Sequence, residues 1–424
     1  MKEINLKGLD LSVYEEELSN GLKIYYLPIT NNKKYNIQFV VRLGGRNRTF
    51  EYENEMITLP EGTAHYLEHK VFENEDGSNT FELFNNHATY GNAFTNDKRT
   101  TFLCRGTSNF EEDLKILLNF VTKPYFTDEN VEKERGIISE EIKQNEDNVY
   151  RRLYNNQLKG LFHSKEYQQT VIGTIESINK IDKDILYKAY NTFYNPSNTF
   201  IVITGNFNID NASRIIKEIL SKKKGITIKQ PNIEEKESVV KKKIELESDH
   251  ETNKILIGIK KDISNINLSK FEIDVYTSIL LEMIFGETTN FRQEIYDKKI
   301  VTSFSTASEI NGNTLILRIF GVSDQIDTLI NKIENELKNI KLDQKTFNRI
   351  KKVILAHSII DSDYSEQMIS NIVGYLTIFD DIVPDRTEKI RKLNIEQLEK
   401  LVKEFDFNNK NITLIKKSSL NNGS

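Results

Sequence analysis

Apolar and polar residues alternate in part along Leu22 to Leu27 and again along Tyr35 to Leu43. Both runs are β-rich, and Asn31-Asn32 between them is a turn signal, so they predict a hairpin closed by Gly44-Gly45. A polar loop leads to Pro60-Glu61-Gly62, where a helix is expected to begin with Thr63 as its cap. A short helix around Phe81 to Phe84 comes next. The strand Asn92 to Thr95, a turn at Asn96-Asp97 and the strand Thr100 to Arg105 follow it. The spacing of Leu114, Leu117, Leu118 and Val121 predicts a helix over 110–121. A long helix is expected from Asp128 to Tyr150 or beyond, with acids in its first turns. A helix over 183–194 and the apolar strand Thr199 to Thr204, ended by Gly205, complete this half.

Residues 221–237 are rich in lysine and glutamate and carry Gly225 and Pro231. That shift of composition predicts a linker between a domain at 1–220 and a second at 238–424. The second begins with strands over 239–246 and 254–259. A weak internal repeat relates the halves. Thr100 to Gly106 followed by the helix at Phe110 is echoed by Asn313 to Ile319 followed by Ile326 to Ile333. The strand ending at Gly205 is echoed by Asn411 to Ile415. The expected fold is α+β, with two similar domains, each an antiparallel sheet with helices on one face.

The chain has 424 residues and a net charge of −5. A general nucleic-acid binder would more often be basic. The lysine runs at 222–224 and 241–243 are flanked by acids and read as solvated faces. No segment is long and apolar enough to span a bilayer, and the N-terminus has no apolar run of signal-peptide length. The single cysteine, Cys104, lies in an apolar run and gives no disulfide framework. The expectation is a cytoplasmic protein without nucleic-acid or membrane partners.

One run carries chemistry: Gly62-Thr63-Ala64-His65-Tyr66-Leu67-Glu68-His69. On a helix turning roughly 100° per residue, His65 and His69 share a face one turn apart. Two imidazoles at that spacing can bind one Zn²⁺. Glu68, at the edge of the face, is poorly aimed as a ligand but can reach a water on the metal. The spelling His-x-x-Glu-His inverts the commoner zinc-protease order. A catalytic zinc takes a third protein ligand, and the remaining histidines, His87, His163, His250 and His357, are scattered. The helix bearing Glu134 and Glu141 is the better source. Seven residues separate the two, so they lie along one face, flanked by Ile137 and Ile138, and that face should point inward. Glu140 is turned away to solvent. Spacing alone leaves a surface ion pair for Glu134 as an alternative.

His65-x-x-Glu68-His69, with Glu141 in Glu-Arg-x-x-Ile-x-x-Glu 72 positions after His69 (141 − 69), resembles the pitrilysin/insulinase family of zinc peptidases. Gly62-Thr63-Ala64, Asn92-Ala93-Phe94-Thr95, Val171 to Ile178 and Tyr194-Asn195-Pro196-Ser197-Asn198 agree. The length resembles the half-length, mitochondrial-processing-peptidase-like branch, and the run from His69 to Gly77 resembles catalytic-type subunits of Gram-positive bacteria. The resemblance implies that His65, His69 and Glu141 bind Zn²⁺, that Glu68 is the general base, and that Glu134 orients a ligand. It implies that Asn92, Ala93 and Phe94 form an edge on which an extended peptide pairs as an added strand. One departure stands out. The family's second domain brings an arginine and a tyrosine to the substrate, and here Tyr296 and Thr302 occupy those positions, with Arg292 displaced by about one helical turn. The expectation is a zinc endopeptidase for short unfolded peptides or leader segments, acting as the catalytic member of a heterodimer whose other half-length subunit supplies the missing pair. The alternative is a non-catalytic peptide-binding or scaffolding subunit. A structural zinc site is disfavoured, because such sites are closed by four protein ligands.

Overall fold

The computed structural model describes residues 1–31, 33–46, 48–78 and 80–418. The first half contains β1 (Lys2–Leu6), β2 (Leu11–Glu17), β3 (Lys23–Pro28), β4 (Tyr35–Val41), a small ribbon of β5 (Thr49–Tyr52) and β6 (Glu55–Thr58), β7 (Tyr90–Thr95), β8 (Thr100–Gly106) and β9 (Thr199–Gly205). Except for the ribbon, these strands form one seven-stranded sheet in the order β1-β2-β3-β9-β4-β8-β7. The second half contains β10 (Lys243–Ser248), β11 (Lys254–Asp262), β12 (Ser303–Asn311), β13 (Thr314–Val322) and β14 (Lys410–Lys417). They form a five-stranded sheet in the order β10-β14-β11-β13-β12.

The hairpin expected of 22–27 with 35–43, the segments of β3 and β4, is not formed. β9 inserts between them, parallel to β3 (Tyr25 opposite Val202) and antiparallel to β4 (Phe39 opposite Ile201). The cause is in the sequence of β9. Ile201 and Ile203 belong to the core on one face, while Phe200 and Val202 join the core on the other. A strand that is apolar on both sides belongs in the middle of a sheet, not at its rim. Of the turn signal at Asn31-Asn32, Asn32 lies outside the described residues.

Two further features differ from the expected architecture. Each sheet is antiparallel except for one parallel pair, β3 with β9 and β10 with β14. Helices cover both faces of the first sheet. On one face lie α1 (Thr63–Val71), α3 (Phe110–Thr122) and the helix Lys183–Phe193; on the other lies the helix Ser365–Ile378, through Met368, Ile372 and Leu376. Between α1 and α3 runs the short α2 (Thr80–Asn86). The long helix from Asp128 also ends sooner than expected. It is α4 (Asp128–Asp147), and Asn148 then caps a separate α5 (Val149–Leu161), its side chain accepting from Tyr150 N and Arg151 N.

The internal repeat has a structural counterpart. In each half the strands, numbered within that half from β3 or from β10, are ordered one-five-two-four-three. β8 leading into α3 matches β13 leading into the helix Ile326–Lys338, and β9 matches β14 as the inserted last strand. The chain forms two compact units. The first contains Met1–Lys143, Gln169–Asn232 and Ile359–Asp385; the second contains Gln144–Gln168, Ile233–Ser358 and Arg386–Ser424. The boundaries 1–220, 221–237 and 238–424 therefore keep each sheet in its own half, while two segments cross. One is α5, whose Val149 and Leu153 pack with Leu256 and Ile415 in the second unit. The other is the helix Ser365–Ile378 of the first unit.

Candidate metal centre

α1 starts abruptly at a glycine. Gly62 has φ +91°, and a Cβ there would lie 2.5 Å from the carbonyl oxygen of Ile172. Thr63, expected as the cap, is the first helical residue instead, and its hydroxyl donates to Pro60 O at 2.8 Å. Ala64, Leu67 and Val71 bury one side of the helix in the core. The Tyr66 hydroxyl donates to Val131 O, and the fully buried Lys70 donates to Asn130 O at 3.0 Å while pairing with Glu73 at 2.7 Å. These contacts fix α1 against the start of α4, so the histidine face of one helix meets the carboxylate face of the other.

His65 and His69 stand with ring centroids 4.6 Å apart. Glu141 Oε2 lies 3.6 Å from His65 Nε2 and 3.8 Å from His69 Nε2. The three residues offer donor atoms that all lie within 4.8 Å of one another. Two imidazole nitrogens and one carboxylate oxygen are donors that Zn²⁺ takes, and three protein ligands leave a position open for chemistry. The residues present therefore fit the ion. Glu134 is placed differently. Its Oε1 lies 2.9 Å from His69 Nδ1. With Nδ1 donating to that carboxylate, Nε2 keeps its lone pair for a metal. The Glu134–Glu141 face of α4 points inward only in part: Glu134 and Ile138 are buried, Glu141 is half-buried and Ile137 is exposed. Glu140 pairs at the surface with Lys143, as expected of a solvated residue.

Glu68 is 9% exposed, and one oxygen accepts a 2.6 Å hydrogen bond from the Thr95 hydroxyl. Burial pushes its carboxyl above the usual range; Glu141 adds to this, while Thr95 and His69 oppose it. Burial opposes a charge on His69, but the hydrogen bond and charge of Glu134, helped by Glu68 and Glu141, outweigh it and raise its pKa. Burial likewise opposes ionisation of Glu134, and its bond to His69 with the nearby Lys70 lowers its pKa on balance. Thr95 itself touches Thr100, 3.2 Å away, whose hydroxyl lies 3.0 Å from Leu43 O. Sequence reasoning placed Thr95 in a strand and gave it no part in the site. Strand alternation was the available signal, since it puts Thr95 on the same face as Ala93.

Asn92, Ala93 and Phe94 lie on β7, the rim of the first sheet, which pairs with β8 alone among the described residues. Asn92 donates to Tyr90 Oη at 2.8 Å and accepts from Ala93 N at 2.9 Å. Two other histidines are engaged elsewhere: His87 Nδ1 lies 2.7 Å from Asp113, and His163 Nε2 lies 3.1 Å from Ser238 O. In the second unit Tyr296 is exposed, and the neighbouring Arg292 donates to Phe304 O at 2.7 Å, with its guanidinium over the Phe304 ring.

Comparison with known proteins adds to this geometry. Residues 36–175 match the family described as Insulinase (Peptidase family M16), and residues 180–354 match the Peptidase M16 inactive domain. An uncharacterized zinc protease, YmfH, of Bacillus subtilis strain 168 is 35% identical over 304 residues, covering 70% of this chain and 71% of the relative. An uncharacterized zinc protease of Rickettsia bellii is 26% identical over 342 residues, covering 76% of this chain and 77% of its own. The crystal structure of an M16-like peptidase from Alicyclobacillus acidocaldarius superposes with a TM-score of 0.91 at 27% identity, covering 97% of this chain and all of that one. No helix of the described residues is long and apolar enough to cross a membrane.

Proposed function

The chain belongs to the insulinase family of zinc peptidases, peptidase family M16, and from that premise we propose that it is an endopeptidase acting on short unfolded peptides or leader segments. The observation that carries this reading is the gathering of His65, His69 and Glu141 beside a buried carboxylate, Glu68, next to an open sheet edge. His65, His69 and Glu141 would hold the zinc, which when bound would supply a Lewis acid for the substrate carbonyl and for the acidity of water. Glu68 takes the proton of the attacking water and passes it to the leaving amine. Thr95 holds the Glu68 carboxylate in one orientation. Glu134 fixes the tautomer and angle of His69. The peptide pairs with β7 along Asn92, Ala93 and Phe94, through main-chain hydrogen bonds that tolerate many sequences but require an extended, unfolded chain.

The same reading assigns the catalytic role to the first half and makes the chain one member of a heterodimer working in the cytoplasm. Tyr296 cannot supply a permanent cation, and Thr302 is too short to replace a phenol, so a second half-length subunit would bring the arginine and tyrosine. These two residues also favour a second reading, a non-catalytic peptide-binding or scaffolding subunit. Glu68→Gln separates the two. On the first reading, the zinc content per chain stays at the wild-type level and peptide turnover, assayed with the partner present, disappears. Turnover at the wild-type rate would remove Glu68 from the mechanism, and a wild-type chain that binds peptide without cleaving it would favour the second.

A further inference from the structure

On the face of the first sheet away from Glu68, a cavity of about 320 Å³ opens between β7 and the helix Ser365–Ile378. Its wall includes Tyr90, Asn92 and Phe94 of the edge strand, with Arg99, Arg105 and Glu366. Arg105 pairs with Glu366 at 3.0 Å and stacks on Tyr90, so those charges cancel. Arg99 is different. Its Nη1 donates to Val373 O at 3.2 Å and to Thr377 Oγ1 at 2.7 Å, both neutral, and its guanidinium lies 5.8 Å from the centroid of the Phe94 ring. Its Nε is buried without a hydrogen-bond partner. Asp97, the nearby acid, is committed to Arg46 at 2.6 Å. Among the described residues no carboxylate pairs with Arg99. Burial lowers its pKa to about 10, against the pull of Asp97, and it is still a cation at neutral pH.

A half-buried cation without a counter-ion is costly unless an anion meets it. We propose that this cavity is a substrate subsite in which Arg99 receives a carboxylate of the bound peptide. The proposal rests on β7 being the substrate edge. Side chains along a strand alternate between faces. Thr95 points to Glu68, whereas Asn92 and Phe94 line the cavity. A peptide added to β7 alternates in the same way. A residue whose side chain faces Glu68 therefore has neighbours whose side chains enter the cavity, and an acidic residue at such a neighbouring position reaches Arg99. The Phe94 and Tyr90 rings are both exposed in the cavity wall, where a peptide side chain can reach them.

The test uses acetylated, amidated octapeptides in which a single glutamate is walked through an otherwise fixed sequence carrying glutamine at each tested position. Their binding to the zinc-loaded Glu68→Gln chain is read by fluorescence anisotropy, so the result does not depend on turnover. Glutamate at one position, or at alternate positions, should tighten binding by roughly tenfold over glutamine, as expected for a charge-assisted pair, and the gain should shrink at high salt. Adding Arg99→Gln should abolish the gain, and Arg99→Lys should retain part of it, which also covers a glutamine variant that fails to fold. A peptide with glutamine throughout and a free C-terminal carboxylate tells a chain end from a side chain; a gain there alone places a terminus at Arg99. No glutamate preference, no binding at all, or a preference that survives Arg99→Gln overturns the proposal. Wild-type cleavage of the same peptides, assayed with the partner present, separates the two claims. Cleavage without a glutamate preference leaves the peptidase reading standing and the subsite lost, whereas glutamate-dependent binding without cleavage does the reverse.

Discussion

Thr95 and Glu68 lie 27 residues apart and meet through one 2.6 Å hydrogen bond. Thr95→Val keeps the shape and removes the donor, so kcat should fall roughly tenfold, the lower range for a residue that orients a catalytic group, with KM and zinc content little changed. Thr95→Ser restores the hydroxyl and should recover most of the rate. A Thr95→Val enzyme with undiminished kcat would show that Glu68 needs no such restraint. At His69 the expectation concerns affinity. Glu134→Gln keeps a hydrogen-bond acceptor and loses the charge, so zinc should be held 10- to 100-fold more weakly in chelator competition. Glu141→Gln should lose more, because its carboxylate faces both Nε2 atoms. Metal content unaffected by Glu141→Gln would move the third ligand elsewhere. These residues differ in how plainly the sequence displays them. His65, Glu68 and His69 share one helix, where spacing converts directly into geometry. Glu134 and Glu141 are placed on a common face by the same rule, and it takes the packing of α4 on α1 to tell them apart. Thr95 reaches Glu68 across separate elements: strand alternation gives the face Thr95 lies on, and only the packing of that face shows what it meets.

At the scale of elements, the junction of Gly62 with α1 is the most exacting. A left-handed backbone costs a non-glycine residue about 1–2 kcal/mol, and in Gly62→Ala the added carbon would also overlap the Ile172 carbonyl. Gly62→Ala should lower the melting temperature by several degrees and weaken zinc binding with it, since His65 and His69 follow within two turns. An unshifted melting curve would mean that the loop at Ile172 gives way freely. Helix positions were largely legible, because an apolar stripe at helical spacing reports one buried face whatever covers it. Strand pairing was less so. Leu22 to Leu27 and Tyr35 to Leu43 are neighbours in the chain, and their alternation is equally compatible with pairing to each other or to a third strand. The deciding fact, that 199–205 is apolar on both faces, lies more than 150 residues away. The helix Ser365–Ile378 was hidden for a related reason: it covers a sheet built from the other half of the chain.

At the scale of the whole molecule, the two sheets repeat one strand order, yet only the first half carries the His-x-x-Glu-His run. If the missing arginine and tyrosine come from another subunit, the purified chain alone should cleave peptides slowly, and activity should appear with a heavier species when the partner is added. Efficient cleavage by a monomer or homodimer in size-exclusion fractions would refute that arrangement. The shared strand order has a consequence for how the protein is made. In each sheet the last strand synthesised, β9 or β14, lies between two strands made earlier, so both sheets are left with an internal gap until it arrives. During translation β3, paired with β2, and β4, paired with β8, must each wait with one open edge for β9, and β10 cannot join its sheet before β14 is complete. Such distant pairings slow folding and leave unpaired strand edges exposed to other nascent chains. A chain terminated just before Lys410 should therefore keep an intact zinc-bearing unit with an unfolded and aggregation-prone second one, a state that limited proteolysis would reveal as a protected fragment holding His65 and His69.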